Sequence, residues 1–331
     1  MDDKLPAIKI RVDGGPEIGL GHVVRCISLA HMLKDDFSIQ FHSIGLSESL
    51  KKDIESHGWT CTNLEIEADF FQALTGKETV VLDGYHLNSD YQKKVKDCGS
   101  KLVCIDDLHE EYFYADLVIN HAPGIKEEQY QGEAYTKYLL GPDYALLRPE
   151  FLEKPGSENN EDAIKRLFIC FGGSDVNNVT TKILTWLPRK NYSVSVVTGN
   201  AFIHKADLDR VIEVRDDLHI ELHNSLSAQE MKEELEHADL AIVPASGILF
   251  ETISRNLPVI SGYYFKNQKL FYYGFRDLGV FIDAVNFKQD NFDRALHKAE
   301  HSDLDEILRN QRKVIDFSSG ERISRQIKAL S

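Results

Sequence analysis

Several things are scarce in this sequence, and each scarcity excludes something. Cysteine occurs five times in 331 residues, an odd number without a C-x-x-C pair. That argues against a disulfide framework and against a zinc site. Cys104 and Cys170 lie inside strand-like runs, as small core residues do. No run approaches the ~18 apolar residues that a membrane helix needs. The opening MDDKLPAIKI shows no cationic segment leading into an apolar one, so the cytoplasm is the expected compartment. Positive charge is in deficit as well, 38 Lys and Arg against 53 Asp and Glu, for a formal net charge of −15. A chain so acidic is expected to bind neither nucleic acid nor a membrane surface. An anionic small molecule would have to be held by local devices, such as helix N-termini and single arginines. Internal repeats and long low-complexity tracts are missing too.

What is present is the grammar of a soluble α/β protein, 42% hydrophobic and 27% charged. Its length predicts two domains. The chain is organised around Ile8–Leu33. Ile8–Val12 reads as a buried strand, and Asp13–Gly21 carries Gly14, Gly15, Pro16, Gly19 and Gly21, which is turn chemistry. Val23, Ile27 and Ala30 then recur at helical spacing, so a helix begins near His22. A strand, a glycine-rich turn and a helix N-terminus favour an anion. His22 at its tip is suited to proton transfer near neutrality. The spacing Gly19-x-Gly21-His22-x-x-Arg25 is not the dinucleotide pattern G-x-G-x-x-G. A solvated histidine on an ordinary turn is the plainer reading. The flanking glycines, by clearing side chains from the loop, favour a functional one.

Strands and helices then alternate. Ser38–Ser43, Thr79–Asp83, Lys101–Asp106, Leu117–Asn120 and Tyr138–Leu140 read as strands, with helices over Glu48–His57 and Asn88–Lys96. Short apolar runs separated by helices predict a parallel sheet covered on both faces, and ligands bind beyond the carboxyl ends of such strands. Asp83, Tyr85, Asp106, Asp107, Asn120 and His121 fall there. Asp106 and Asp107 read as loop-capping residues, whereas Tyr85, after a glycine, is expected to face the ligand. Residues 151–165 are polar, with Pro155 and Gly156, and read as a linker between domains 1–150 and 166–331. The last helix is a candidate to pack back on the N-terminal domain.

The second half restarts the pattern. Leu167–Phe171, Tyr192–Val197, His219–Leu222, Leu240–Val243 and Pro258–Ile260 read as strands. Gly172-Gly173-Ser174-Asp175 makes a second glycine-rich turn into a helix from about Asn178. After Val243, Ser246 can cap a helix, Gly247 opens its first turn and Glu251 lies one turn in. A diphosphate on that N-terminus with ribose hydroxyls on Glu251 is one reading, and an ordinary capped helix is the other. Asn267 reads as the cap of a further helix. Two such halves predict two Rossmann-like domains facing a cleft, the glycosyltransferase-B architecture.

The motifs carry a resemblance from Ile10 to about Leu278. They are Arg11-Val12-Asp13, Ile18-Gly19-Leu20-Gly21-His22-Val23-Val24-Arg25-Cys26, Asp83-Gly84-Tyr85, Gly141–Arg148, Phe171–Asp175, Ser246-Gly247 with Glu251, and Asn267-Gln268. The chain resembles the UDP-2,4-diacetamido-2,4,6-trideoxy-β-L-altropyranose hydrolases of pseudaminic acid biosynthesis, the PseG family. The first motifs are the most specific. The Ser/Gly/Glu block also occurs in transferases of this architecture and points only to the nucleotide. The resemblance implies that His22 prepares the attacking water. Gly21, Arg25, Tyr85, Asn267 and Gln268 would lie near the sugar. Gly172, Gly173, Ser174, Ser246, Gly247 and Glu251 would hold UDP.

The chemistry agrees with a lone base. Ordinary glycosidases need a second carboxyl group to protonate an alkoxide leaving group. UDP leaves readily when a helix dipole and backbone N–H groups stabilise it. No metal and no cofactor is expected, since the sequence shows no compact carboxylate cluster. The expected partner is a small UDP-sugar, and the expected assembly a monomer. Two further readings stay open: a transferase of the same architecture, with His22 activating an acceptor hydroxyl, and a non-catalytic nucleotide-sugar binder.

Overall fold

The computed structural model describes residues 5–15, 20–156 and 163–330. The predicted turn residues Pro16, Ile18 and Gly19 lie outside these, as does the stretch 157–162 of the predicted linker. The chain divides into two compact units, Met1–Pro149 with Ser318–Ser331, and Glu150–Phe317.

In the first unit the strands are β1 (Ala7–Val12), β2 (Ser38–Ser43), β3 (Thr60–Asn63), β4 (Thr79–Asp83), β5 (Lys101–Ile105), β6 (Tyr112–Phe113), β7 (Leu117–Asn120), β8 (Gln131–Gly132) and β9 (Lys137–Leu140). Seven of them form a sheet in the order β3-β2-β1-β4-β5-β7-β9, and β6 pairs with β8. Every pairing in the large sheet is parallel. The order reverses direction between β1 and β4, which places the turn after β1 at the switch point of the sheet. One face of β1 is Ile8, Ile10 and Val12. The other is Lys9, Arg11 and Asp13, also buried.

The edge strand β3 and the helix Glu67–Gln72 were not foreseen. Thr60-Cys61-Thr62-Asn63 buries only Cys61, so it carries no apolar alternation to read. The helix Ser319–Lys328 belongs to the first unit although the second unit precedes it in sequence. Its fully buried Ile323 and Ile327 join the core formed with Val23, Leu29 and Leu33 of the helix Gly21–Leu33.

In the second unit, β10 (Arg166–Cys170), β11 (Tyr192–Thr198), β12 (Leu218–Asn224), β13 (Leu240–Pro244), β14 (Val259–Gly262) and β15 (Ile282–Asp283) form one sheet. The order β12-β11-β10-β13-β14-β15 is again parallel and reverses between β10 and β13. Part of the stretch read as a linker is tied down in this unit. Phe151 is fully buried; the Arg255 guanidinium lies 5.6 Å from its ring centroid and donates to its carbonyl at 3.1 Å.

Candidate active site

The switch point of the first sheet is crowded with charge. The helix Gly21–Leu33 begins there without a side-chain cap. His22, Arg25 and Cys26 are spaced i, i+3 and i+4, so one face of its first turns meets the end of β4. Asp83, in register with Val12 of β1, is fully buried at that end. His22 Nδ1 lies 2.7 Å from Asp83 Oδ1, and His22 is 6% exposed. The Arg25 guanidinium donates to Asp83 from Nε at 2.6 Å and from Nη2 at 2.5 Å, and to Asp107 from Nη1 at 2.9 Å. The Cys26 thiol points to Asp83 Oδ2 at 3.6 Å.

Burial alone would push the Asp83 carboxyl up. The Arg25 charge, its hydrogen bonds and the His22 bond more than offset this, and Asp83 is held below the usual carboxylate range. Tyr85 stands edge-on to His22, ring centroids 4.8 Å apart, and donates to Asp107 Oδ2 at 3.3 Å. Partial burial and the Asp107 charge push its hydroxyl up to about 12, so Tyr85 stays a donor at neutral pH. Gly21 has open space where a Cβ would stand.

The Arg25 guanidinium, expected near the sugar, bridges two carboxylates, Asp83 and Asp107. Asp107 was read as a loop cap, but it joins the site through Arg25 and Tyr85. Asp106 does cap its loop, accepting from Leu108 N at 3.3 Å, His109 N at 2.9 Å and Tyr130 at 2.9 Å.

A carboxylate cluster does exist, contrary to the reading of the sequence. Asp13, Glu67 and His86 each bring a ligand atom within 4.8 Å of the others. They come from three separated segments that only the fold unites. The fully buried Arg11 already occupies the cluster, donating to Asp13 at 2.9 Å and to Glu67 at 2.6 Å. A guanidinium there supplies the positive charge that a cation would otherwise bring.

The switch point of the second sheet is nearly bare. Gly172, at φ 79°, Gly173 and Gly247 all have open space where a Cβ would stand. Gly199, after β11, packs against the Gly173 backbone so closely that a Cβ would lie 2.5 Å from its Cα. The Tyr264 hydroxyl donates to Phe171 O at 2.8 Å and anchors the strand end that enters this turn.

The two helix N-termini beside the bare turn differ. Asp175 accepts from the backbone N–H groups of Val179 and Thr180, both at 2.8 Å, and so occupies the start of the helix Val179–Trp186. The helix Gly247–Ser254 has Ser246 at its cap position, but that hydroxyl makes no cap hydrogen bond, and the first turn carries no acidic residue. Its leading N–H groups are therefore the ones suited to an anion. Glu251, one turn in, is buried. Ser174 is half-buried on the turn after β10.

The loop after β14 corrects another reading. Gln268, not Asn267, does the local capping: its Oε1 accepts from Tyr264 N at 2.9 Å and Phe265 N at 3.3 Å. Asn267 is exposed.

No protein-family model matches the chain. Among solved structures it is similar to MurG of Acinetobacter baumannii, with a TM-score of 0.66 and 11% identity over 98% of this chain and 100% of that one. It is similar also to HepE of Anabaena, solved with UDP and glucose, with a TM-score of 0.67, 11% identity and coverage of 98% and 100%. The fold is that of the glycosyltransferase-B proteins.

Sequence relatives extend the motif resemblance along the chain. The UDP-2,4-diacetamido-2,4,6-trideoxy-β-L-altropyranose hydrolase of Campylobacter jejuni is 25% identical over 79% of this chain and 93% of its own length. SpsG of Bacillus subtilis, a spore coat polysaccharide biosynthesis protein, is 26% identical over 83% of each chain. The uncharacterized protein MJ1062 of Methanocaldococcus jannaschii is 28% identical over 76% of this chain, but the match spans only 54% of that relative. On the glycosyltransferase-B fold, each glycine-rich turn of this chain stands at the switch point of its own sheet.

Proposed function

We propose that this chain hydrolyses a UDP-linked 2,4-diacetamido-2,4,6-trideoxy sugar of the β-L-altro series. The products are the free sugar and UDP, with inversion at the anomeric carbon. The observation that carries this reading is the His22–Asp83 pair. With Nδ1 directed to a buried carboxylate, Nε2 is left to accept a proton. A water oxygen forms the new bond to the anomeric carbon as its proton passes to Nε2. The bond from that carbon to the diphosphate oxygen breaks, and the electron pair departs with UDP. Gly21, Tyr85 and Asn267 attend the sugar, Tyr85 as a hydrogen-bond donor. Backbone N–H groups at Gly172, Gly173, Ser174, Ser246 and Gly247 take the diphosphate, and Glu251 takes the ribose hydroxyls. The reading needs no metal, because leaving-group charge falls on a helix start and a glycine turn.

The named hydrolase relative supports hydrolysis, and the similarity to a structure solved with UDP supports the nucleotide. UDP release from the purified protein tests the proposal, measured in excess EDTA and with and without acceptor sugars. Release without acceptor, undiminished by EDTA, is expected. Release that requires an acceptor assigns transfer to the site instead. Loss in EDTA with recovery in Mg²⁺ overturns the metal-free mechanism.

A further inference from the structure

We propose that Arg25 is a positioning residue that sets two reactive side chains at once, His22 and Tyr85, and makes no contact with substrate. The inference rests on His22 acting as the base. One guanidinium joins a continuous chain of contacts. The Tyr85 hydroxyl donates to Asp107 Oδ2 at 3.3 Å, and Arg25 Nη1 donates to the same oxygen at 2.9 Å. Its Nε and Nη2 then take both oxygens of Asp83, whose Oδ1 also faces His22 Nδ1 at 2.7 Å. The two bonds to Asp83 form a planar fork, which stops that carboxylate from rotating.

This arrangement decides the histidine tautomer. Arg25 Nη2 also lies 3.0 Å from His22 Nδ1, but a guanidinium has no acceptor. A proton on Nδ1 can go only to Asp83 Oδ1. Were the proton on Nε2 instead, Nδ1 could accept from Arg25 Nη2 at 3.0 Å, but its lone pair would face the Asp83 carboxylate oxygen at 2.7 Å; the shorter contact, to a charged acceptor, favours the proton on Nδ1. The fork therefore presents Nε2 as the acceptor. Through Asp107 the same cation fixes the hydroxyl of Tyr85, whose ring lies against the imidazole. Helical spacing makes this possible, since Arg25 stands one turn beyond His22 on the same face.

Arg25→Lys keeps the charge and loses the fork, and so separates positioning from charge. Misplacement of a reacting group by ~1 Å can cost on the order of 10²-fold in rate. The expected result is a fall in kcat of about 10- to 100-fold with KM within about threefold of wild type, and UDP affinity unchanged. Asp107→Asn should lower kcat in the same sense but less, because Asp83 keeps both of its bonds. A rise in KM with kcat unchanged would assign Arg25 to substrate contact and overturn the proposal, as would no change in either constant.

A second readout does not depend on turnover. In ¹⁵N NMR of histidine-labelled wild type without substrate, neutral His22 should carry its proton on Nδ1, and Arg25→Lys should show a mixture of tautomers. A proton on Nε2 in the wild type overturns the proposal even where Arg25→Lys fails to fold. The hydrolase reading fails separately, through absence of UDP release, and that failure leaves the tautomer result standing.

Discussion

The turn after β1 and the turn after β10 occupy the same place in their sheets, yet they are filled in opposite ways. The first is dense with side chains: His22, Arg25, Asp83 and Asp107 meet there, and Arg11 with Asp13 lies on the neighbouring face of β1. The second has had its side chains removed, with Gly172, Gly173 and Gly247 open and Gly199 packed on backbone. Side chains carry protons and can be aimed, whereas bare N–H groups accommodate an anion without competing for it. On the function proposed above, one topology thus serves chemistry at one turn and the holding of charge at the other. What distinguishes them is the residue at each loop position, not the strand order.

The comparison can be broken, and the largest expected effect lies on the chemical side. His22→Asn should lower turnover by about 10²–10⁴-fold while leaving UDP affinity intact. Turnover within a few-fold of wild type would remove His22 as the base. On the holding side, Glu251→Ala should weaken UDP binding by about 1–3 kcal/mol, the cost of leaving polar partners unpaired. Calorimetry showing unchanged affinity would take Glu251 out of the site.

Next comes Gly247→Leu, at an exposed glycine where an added Cβ meets open space. Thermal stability should hold while UDP affinity falls about tenfold, or ~1.4 kcal/mol. Equal affinity would mean that the bare turn is not where the anion lies. The smallest effect separates the two units by acid. Burial raises Asp83 and Asp13, but Arg25 and His22 for the one, and His86 and Arg11 for the other, hold both below the ordinary carboxylate range. Their contribution to stability is complete above their unfolded values and is lost as pH falls. Asp175 is raised by burial despite its backbone hydrogen bonds, so its contribution grows as pH falls. Acid should therefore open β1 and β4 to hydrogen exchange before β10, and the reverse order would refute this account.

How much of this could be read beforehand depends on sequence distance. The strands that line the two switch points were legible because four or five apolar residues between glycines and helices leave few alternatives, as Thr79–Asp83 shows. The edge strand β3 was not, since its half-exposed polar run has no period to follow. His22 was singled out by the glycines on its own loop. Its partner was not: Asp83 lies 61 positions away, and Asp107 lies 82 from Arg25. Both stand at strand ends, and only the sheet order brings those ends together. The same distance hid the Asp13, Glu67 and His86 cluster, which no local spacing announces. The capping by Gln268 was missed for a different reason, because a glutamine capping backwards onto residues 264 and 265 leaves Asn267, the better local capping type, outside the bond.

The return of the chain to its first unit has a consequence for how the protein comes into being. Ser324 donates to Asp36 across 288 residues, and Gly320 sits so close to Met32 that a Cβ there would lie 3.1 Å from its Cγ. The helix bearing His22 is thus sealed by a segment synthesised after the entire second unit. A nascent chain holding only residues 1–149 exposes the surface that Ile323 and Ile327 cover, an apolar face awaiting its lid. Every strand of the second unit, through Asp283, precedes that segment. The first unit is therefore completed last, and on the function proposed above a chain lacking the helix Ser319–Lys328 should bind UDP before it can turn over substrate.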